Sequence, residues 1–419
     1  MSARQVALDL LIRVDREKSY PNILLAERLS VLPEARDRSF CTELVCGVTE
    51  RKITLDYHIA NCLSMPFRKL HIVTRNILRL GTYQILFMNV PASAACNTSV
   101  DLAKKNGQAR SAGLVNAILR KLAVTRETLT VFDEDPVRYL SILYSVDPSI
   151  ISLLIKQYGQ EFTEAYFTAL QNKPKDRSVI AVNVLLTTGE ELRGRLADEG
   201  VSAEMIHDDL MEIRFTGRIE DLSSYREGLF HFIGRESYEA IGMLDVTPGQ
   251  NVMDCCSAPG GKTFLMAYRM KNKGEILAVD IHKNKIRRME EQAARLKIQN
   301  IRFLTADASH FMPELEDRFD RVLCDVPCSG LGMIAKKPDI RYKSMEDLSL
   351  IDVQRDILKN ALRYVKPEGA VLYSTCTVND EENGQAVRSV CGEYKINDRL
   401  FLPQTDGTDG FYAARIEKK

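Results

Sequence analysis

No apolar run in this chain is long enough to span a bilayer, and the N-terminus lacks the uniform apolar core of a signal peptide. Arg13, Asp15, Arg16 and Glu17 interrupt the opening MSARQVALDLLIRVDREK. Neither export nor a membrane partner is expected; a cytoplasmic location is. No two of the ten cysteines stand as Cys-x-x-Cys, which argues against a zinc site or any other bound metal. Without export there is no oxidising compartment for a disulfide framework, so free thiols are left. Net charge is also missing, with 57 basic and 57 acidic residues, but the balance is uneven. Residues 1–130 hold 19 Lys and Arg against 11 Asp and Glu. A basic first part suits a polyanionic partner, although scattered surface charge would give the same count.

At 419 residues, two or three domains are expected. Apolar positions recur at helical spacing in Val6-Ala7-Leu8-Leu10-Leu11-Val14 and Phe40-Leu44-Val45-Val48. Further helices are predicted over Ile72–Leu86, Ala94–Lys105 and Ala112–Leu122, so residues 1–130 read as an all-α bundle. Residues 145–225 mix helices (Ile150–Tyr158, Glu161–Leu170, Thr188–Glu199) with strands (Ser178–Val184, Glu212–Thr216), a small α+β connector. From 226 to 419, strands at Asn251–Cys255, Glu275–Asp280, Ile301–Leu304, Arg321–Cys324 and Ala370–Ser374 alternate with helices at Lys262–Met270, Lys283–Leu296 and Ser349–Val365. That alternation predicts an α/β, Rossmann-like domain, a mostly parallel sheet with helices on both faces. Ligands of such sheets bind beyond the carboxyl ends of the strands.

Each chemistry-bearing motif follows a predicted strand. Asp254-Cys255-Cys256-Ser257-Ala258-Pro259-Gly260-Gly261-Lys262-Thr263 is a glycine turn opening a helix. It is no GxGxxG fingerprint. It misses the P-loop pattern too, because Cys256 stands where the first glycine is required and Pro259 removes an amide. A nucleoside cofactor fits better than a nucleoside triphosphate. Asp280 ends the next strand, 20 residues after Gly260, where a carboxylate accepts ribose hydroxyls. Asp307 follows the strand after that, placed to accept from an adenine amino group. Helix N-capping is the plain alternative for each acid. Two thiols complete the set: Cys328 in Asp325-Val326-Pro327-Cys328-Ser329-Gly330 and Cys376 in Tyr373-Ser374-Thr375-Cys376-Thr377. A cofactor turn followed by two thiols suits methyl transfer to carbon 5 of a pyrimidine. That carbon is a poor nucleophile until a thiolate adds at carbon 6 and makes the ring an enamine. A base must later remove the carbon 5 proton so that the thiol can leave. The residues alone do not rank the two cysteines.

Together with Glu381-Glu382-Asn383 and Asp409-Gly410-Phe411-Tyr412, these motifs resemble those of the RNA cytosine-5 methyltransferase family. The resemblance spans nearly the whole chain and is strongest to enzymes of 16S ribosomal RNA. It implies S-adenosyl-L-methionine as cofactor, held by Cys256, Ser257, Ala258, Pro259, Gly260, Gly261, Lys262, Asp280, Asp307 and Asp325. It implies Cys376 as nucleophile, Cys328 as the residue assisting release, and Asp325 as a hydrogen-bond partner of the ring at N3. It also implies that residues 1–130 are NusB-like and bind RNA. No obligate protein partner is inferred. The near alternative is a transfer RNA enzyme of the same family; the different one is a non-catalytic RNA-binding or assembly factor on a methyltransferase scaffold.

A basic stretch, Lys336-Lys337-Pro338-Asp339-Ile340-Arg341-Tyr342-Lys343, sets four cations around one aromatic and suits phosphate contacts and base stacking. The target base must be unstacked to be reached, which favours loops or unfolded RNA. Four departures from the family pattern bear on RNA positioning: Phe232-Ile233-Gly234-Arg235-Glu236-Ser237 before the cofactor turn, Ala181 where the family has arginine in Arg-Val-Asn, Val326 in the Pro-Cys motif, and the absence of tryptophan.

Overall fold

The computed structural model describes residues 2–17, 21–174, 176–215, 217–345 and 349–418. They form two compact units: residues 1–167 with 336–346, and residues 168–335 with 347–419.

The first unit is helical. Its helices include Ala3–Glu17, Ala35–Glu50, Lys52–Ala60, Ile72–Phe87, Ala92–Lys105 and Ala112–Thr125. Ile72–Phe87 is the central one. Ile77, Leu78, Leu80, Tyr83 and Ile85 are all buried along it, as a helix surrounded by others requires. It also carries a buried charge. Arg79 is 4% exposed and makes a bidentate pair with Asp56 (2.6 and 2.7 Å) and a bond to Asp15 (2.7 Å). Desolvation alone would lower its affinity for a proton; the two carboxylates outweigh that and raise it.

Residues 336–345 also belong to this unit, which corrects the reading of the basic stretch as an RNA-stacking loop. Arg341 is buried and its guanidinium donates to the Tyr144 carbonyl at 2.9 Å. The Tyr342 hydroxyl donates to the Thr49 carbonyl and accepts from the Lys52 amide at 3.2 Å. The aromatic and one of the four cations are therefore used in packing, while Lys336, Lys337 and Lys343 stay exposed. Alternating charge with Pro338, Ile340 and Tyr342 looks solvated in sequence. The apolar members instead seat the segment and bring Arg341 in with them.

The second unit holds two sheets. β1 (Arg177–Val182), β2 (Ser202–His207), β3 (Leu210–Arg214) and β4 (Phe230–Phe232) make an antiparallel sheet in the order β2-β3-β1-β4. The helix Gly189–Asp198, started by a Thr188–Glu191 capping box, packs Leu192 and Leu196 onto it. Asn183, kept from the Arg-Val-Asn pattern, is fully buried and donates to the carbonyls of Gly228 and Leu296, both at 2.8 Å.

β5 (Asn251–Asp254), β6 (Glu275–Asp280), β7 (Ile301–Thr305), β8 (Phe319–Asp325), β9 (Val365–Thr375), β10 (Lys395–Phe401) and β11 (Phe411–Glu417) form the large sheet, in the order β10-β11-β9-β8-β5-β6-β7. β5 to β9 are parallel, and β11 lies antiparallel between β9 and β10. Alternate residues serve opposite faces. Val252, Ile276, Ala278 and Leu323 pack with the helices Arg235–Leu244, Gly261–Arg269 and Lys283–Arg295. Met253, Leu277, Val279 and Val322 pack with Ser349–Tyr364 and Gly384–Cys391. The chain runs from β5 outward to β6 and β7, then returns to place β8 on the other side of β5. The order thus reverses between β5 and β8, which opens a crevice at their carboxyl ends.

Candidate active site

Every strand bordering that crevice ends in a residue the sequence had marked. After β5, the Cys255 amide donates to Leu323 (2.9 Å) and the Ser257 amide to Val279 (2.8 Å), so the turn is stitched to strands on both sides. Gly260 closes it at φ +109°, where a Cβ would stand 2.5 Å from the Phe264 ring; only glycine fits. Beneath the turn lies a residue that sequence reading missed. His231 of β4 is buried, with one ring nitrogen 2.9 Å from the Gly261 carbonyl and the other 3.2 Å from the Tyr268 hydroxyl. Burial pushes its pKa down to about 4, so it is neutral at physiological pH. One histidine inside a three-residue strand leaves no periodic signal that could have found it.

Asp280 is buried at the end of β6 and accepts from the amides of His282 (2.8 Å) and Ala258 (3.3 Å). It does not cap the helix that follows, whose N-cap is His282. Ile281 beside it is 56% exposed. Asp307 accepts from the amide and hydroxyl of Ser309 (2.9 and 2.7 Å), and these bonds hold its pKa below the usual carboxylate value.

On the other side of the crevice, Asp325 at the end of β8 binds Lys262 Nζ with one oxygen and the Ser374 hydroxyl with the other, each at 2.8 Å. The Val326 amide donates to Ser374 O at 3.1 Å, and the Gly332 amide to Cys376 O at 3.0 Å. These bonds lay the Pro-Cys loop along the Thr-Cys loop and bring Cys328 Sγ within 3.2 Å of Cys376 Sγ. Gly332 is pressed so close that a Cβ would stand 1.7 Å from Gly410 O.

The charges around the two sulfurs differ. The Cys328 thiol is pushed well up, first by its hydrogen bond to Cys376, then by burial, then by the charges of Cys376 and Glu382. It stays protonated. Lys262 loses some proton affinity to burial, but the Asp325 carboxylate and, further down, a charged sulfur at Cys376 outweigh that and raise its pKa. Of the other cysteines, Cys255 and Cys324 lie buried with their sulfurs 3.9 Å apart, and Cys256 is in the glycine turn after β5. Among the described residues, no group of three or more His, Cys, Asp or Glu is arranged to hold a metal ion. No single helix among them is long and apolar enough to cross a membrane.

The family described as 16S rRNA methyltransferase RsmB/F matches residues 241–417, and the NusB family matches residues 1–124. A Bacillus subtilis protein described as probable ribosomal RNA small subunit methyltransferase B is 32% identical, covering 100% of this chain and 99% of its own. The chain belongs to the RsmB/F family of 16S ribosomal RNA methyltransferases. A Synechocystis relative of the same description is 34% identical over 91% of this chain and 87% of its own. The solved structure of PH0851 aligns with a TM-score of 0.81 at 26% identity, covering 100% of this chain and 99% of that one. A methyltransferase homolog from Pyrococcus horikoshii (TM-score 0.60, 24% identity, 69% and 100% coverage) shares the fold. The expected architecture, a NusB-like helical domain before a mostly parallel methyltransferase sheet, is thus the architecture of this RsmB/F member.

Asp254 ends β5 at the floor of the site. It is 1% exposed and accepts from the Thr263 hydroxyl at 2.7 Å. Burial pushes its pKa up to about 7, with Asp325 adding to the rise. In the unfolded chain it ionises near the ordinary carboxylate value, so the folded state binds the extra proton. Its contribution to stability is full below that value and falls as pH rises to about 7, by on the order of 4 kcal/mol in all. Asp254→Asn removes this dependence. Thermal melts from pH 5 to pH 8 should show the variant gaining on the wild type as pH rises; parallel curves would contradict the assignment.

Proposed function

We propose that this protein transfers a methyl group from S-adenosyl-L-methionine to carbon 5 of a cytosine in 16S ribosomal RNA, through a transient bond between Cys376 and carbon 6. The observation that carries this reading is the pair of sulfurs 3.2 Å apart at the carboxyl edge of the sheet, with the Lys262–Asp325 pair tied to the Thr-Cys strand through Ser374.

The crevice suits a nucleoside sulfonium. The turn 256–261 leaves its backbone open at Gly260, Asp280 supplies a carboxylate for ribose hydroxyls, and exposed Ile281 offers an apolar face for a purine. Asp307 lies after the neighbouring strand, placed to accept from the purine amino group. When bound, the cofactor supplies an electrophilic methyl group. The chain's residues do the rest. The Cys376 thiolate adds to carbon 6 while N3 takes a proton relayed through Asp325, and carbon 5 of the resulting enamine takes the methyl as its bond to the sulfonium sulfur breaks. Once bonded to carbon 6 the Cys376 sulfur carries no charge to hold Cys328 as a thiol; Cys328 releases its proton to solvent, its thiolate takes the carbon 5 proton, and the electrons of that C–H bond expel the Cys376 sulfur as thiolate and restore aromaticity. In this reading residues 1–130 hold RNA, residues 145–225 connect, and residues 226–419 do the chemistry in a reducing cytoplasm.

Incubating the protein with methyl-labelled cofactor and unmodified 16S ribosomal RNA should place label on carbon 5 of one cytosine, read by nuclease digestion and mass spectrometry. Label in transfer RNA alone would move the substrate. Label in no RNA would favour a binding factor built on this fold.

A further inference from the structure

Glu382 is a buried carboxylate, 2% exposed, with no Lys, Arg or His among its hydrogen-bond partners in the described residues. Such a group is costly unless its oxygens are fully hydrogen-bonded, and here they are. One oxygen accepts from the Ser329 amide (2.8 Å) and Gln354 Nε2 (3.0 Å). The other accepts from the Ser329 hydroxyl and from Asn379 Nδ2 (3.3 Å). These donors come from three elements. Ser329 directly follows Cys328, Asn379 lies three residues beyond Cys376, and Gln354 projects from the helix Ser349–Tyr364. Gln354 Nε2 also donates to the carbonyl of Pro327 at 2.8 Å, so the residues on both sides of Cys328 are gripped. The Ser329 hydroxyl meets Thr377 Oγ1 at 2.8 Å, beside Cys376.

We propose that Glu382, braced by Gln354, is the positioning residue that holds the Cys328 loop against the Cys376 loop and keeps the two sulfurs in distinct roles. The inference rests on the cysteine chemistry proposed above and goes beyond it. Four donors on two oxygens require a carboxylate. In Glu382→Gln the amide NH₂ turns toward one donor pair, whichever way it is placed, and breaks that side of the grip. The same change removes a negative charge from beside Cys328. Loss of position and loss of charge therefore act together on one thiol, without touching RNA or cofactor.

The test uses the full chain and two readouts. In methyl transfer, Glu382→Gln should lower kcat by about 10- to 100-fold while KM for RNA and cofactor stays within about twofold. In the free enzyme, iodoacetamide labelling followed by peptide mass spectrometry should favour Cys376 over Cys328, and Glu382→Gln should narrow that ratio by about tenfold. Gln354→Leu, which leaves the carboxylate in place, should shift both readouts the same way by less. A variant that melts earlier but keeps the wild-type kcat and labelling ratio would reduce Glu382 to a fold-stabilising residue and overturn the proposal. The labelling arm needs no substrate. A protein that methylates no RNA yet shows the shifted ratio would refute the cytosine reading and leave the clamp standing.

Discussion

Cys376→Ala should abolish methyl transfer, by on the order of 10³-fold or more, whereas Cys328→Ala should stall the reaction with the RNA still attached. The two thiols are 3.2 Å apart, yet their surroundings divide them. The sulfur at 376 shares its end of the crevice with the Lys262 ammonium, and a charged sulfur there contributes to that lysine's proton affinity. The sulfur at 328 has Cys376 and Glu382 as charged neighbours, both of which oppose its ionisation. In the mechanism proposed above the first is the nucleophile, and the second, pushed well up, is a thiol in the free enzyme. Removing the first leaves nothing to open the ring. Removing the second leaves addition and methyl transfer intact but slows proton removal and elimination. Cys328→Ala incubated with RNA and cofactor should therefore give a band of reduced mobility on a denaturing gel, lost on nuclease treatment. Cys376→Ala should give none. The opposite pattern would exchange the roles.

Much of this arrangement was legible in the sequence because strand ends and chemistry coincide. Buried parallel strands read as short β-branched or apolar runs, and each marked turn follows such a run, so the five parallel strands were found, the start of β9 being five residues earlier than expected. β10 and β11 were not. Lys395-Ile396-Asn397-Asp398-Arg399-Leu400 lies at the sheet edge and is mostly exposed, so its composition is that of a loop. Phe411–Glu417 is buried for most of its length but carries Ala413 and Ala414, which favour no strand. The residues gathered at the crevice were legible where they carry reactive or charged groups: the thiols, Lys262, and the acids at strand ends. They were not legible where one acts by holding another. Gln354 in a helix and His231 in a three-residue strand have unremarkable local sequence, and their hydrogen-bond partners lie tens of residues away. The basic stretch 336–343 shows the converse. Its composition looked functional, but tertiary packing took up Arg341 and Tyr342.

Lys262→Met should lower kcat by about 10²-fold or more and move the acid limb of the pH–rate profile upward. Lys262 Nζ lies 2.8 Å from Asp325 and 5.0 Å from the centre of the Phe411 ring, with its side chain only 14% exposed. A cation so placed serves three groups at once. It pairs Asp325, whose other oxygen is held by Ser374, and so fixes the carboxyl group proposed to meet the base. It offsets the rise in the Asp254 pKa, to which Asp325 contributes. It favours thiolate at Cys376. Methionine keeps a similar length but loses both the cation over the Phe411 ring and the charge, so the groups whose ionisation it supports become harder to ionise. The rate then reaches its plateau only at higher pH. Lys262→Arg retains the charge and should keep the wild-type limb even if its planar head lowers kcat. Measuring kcat/KM from pH 5.5 to 9 for the three proteins separates the effects. A methionine variant with an unmoved limb would mean that Lys262 acts only by packing and that the thiolate at 376 owes its charge to something else.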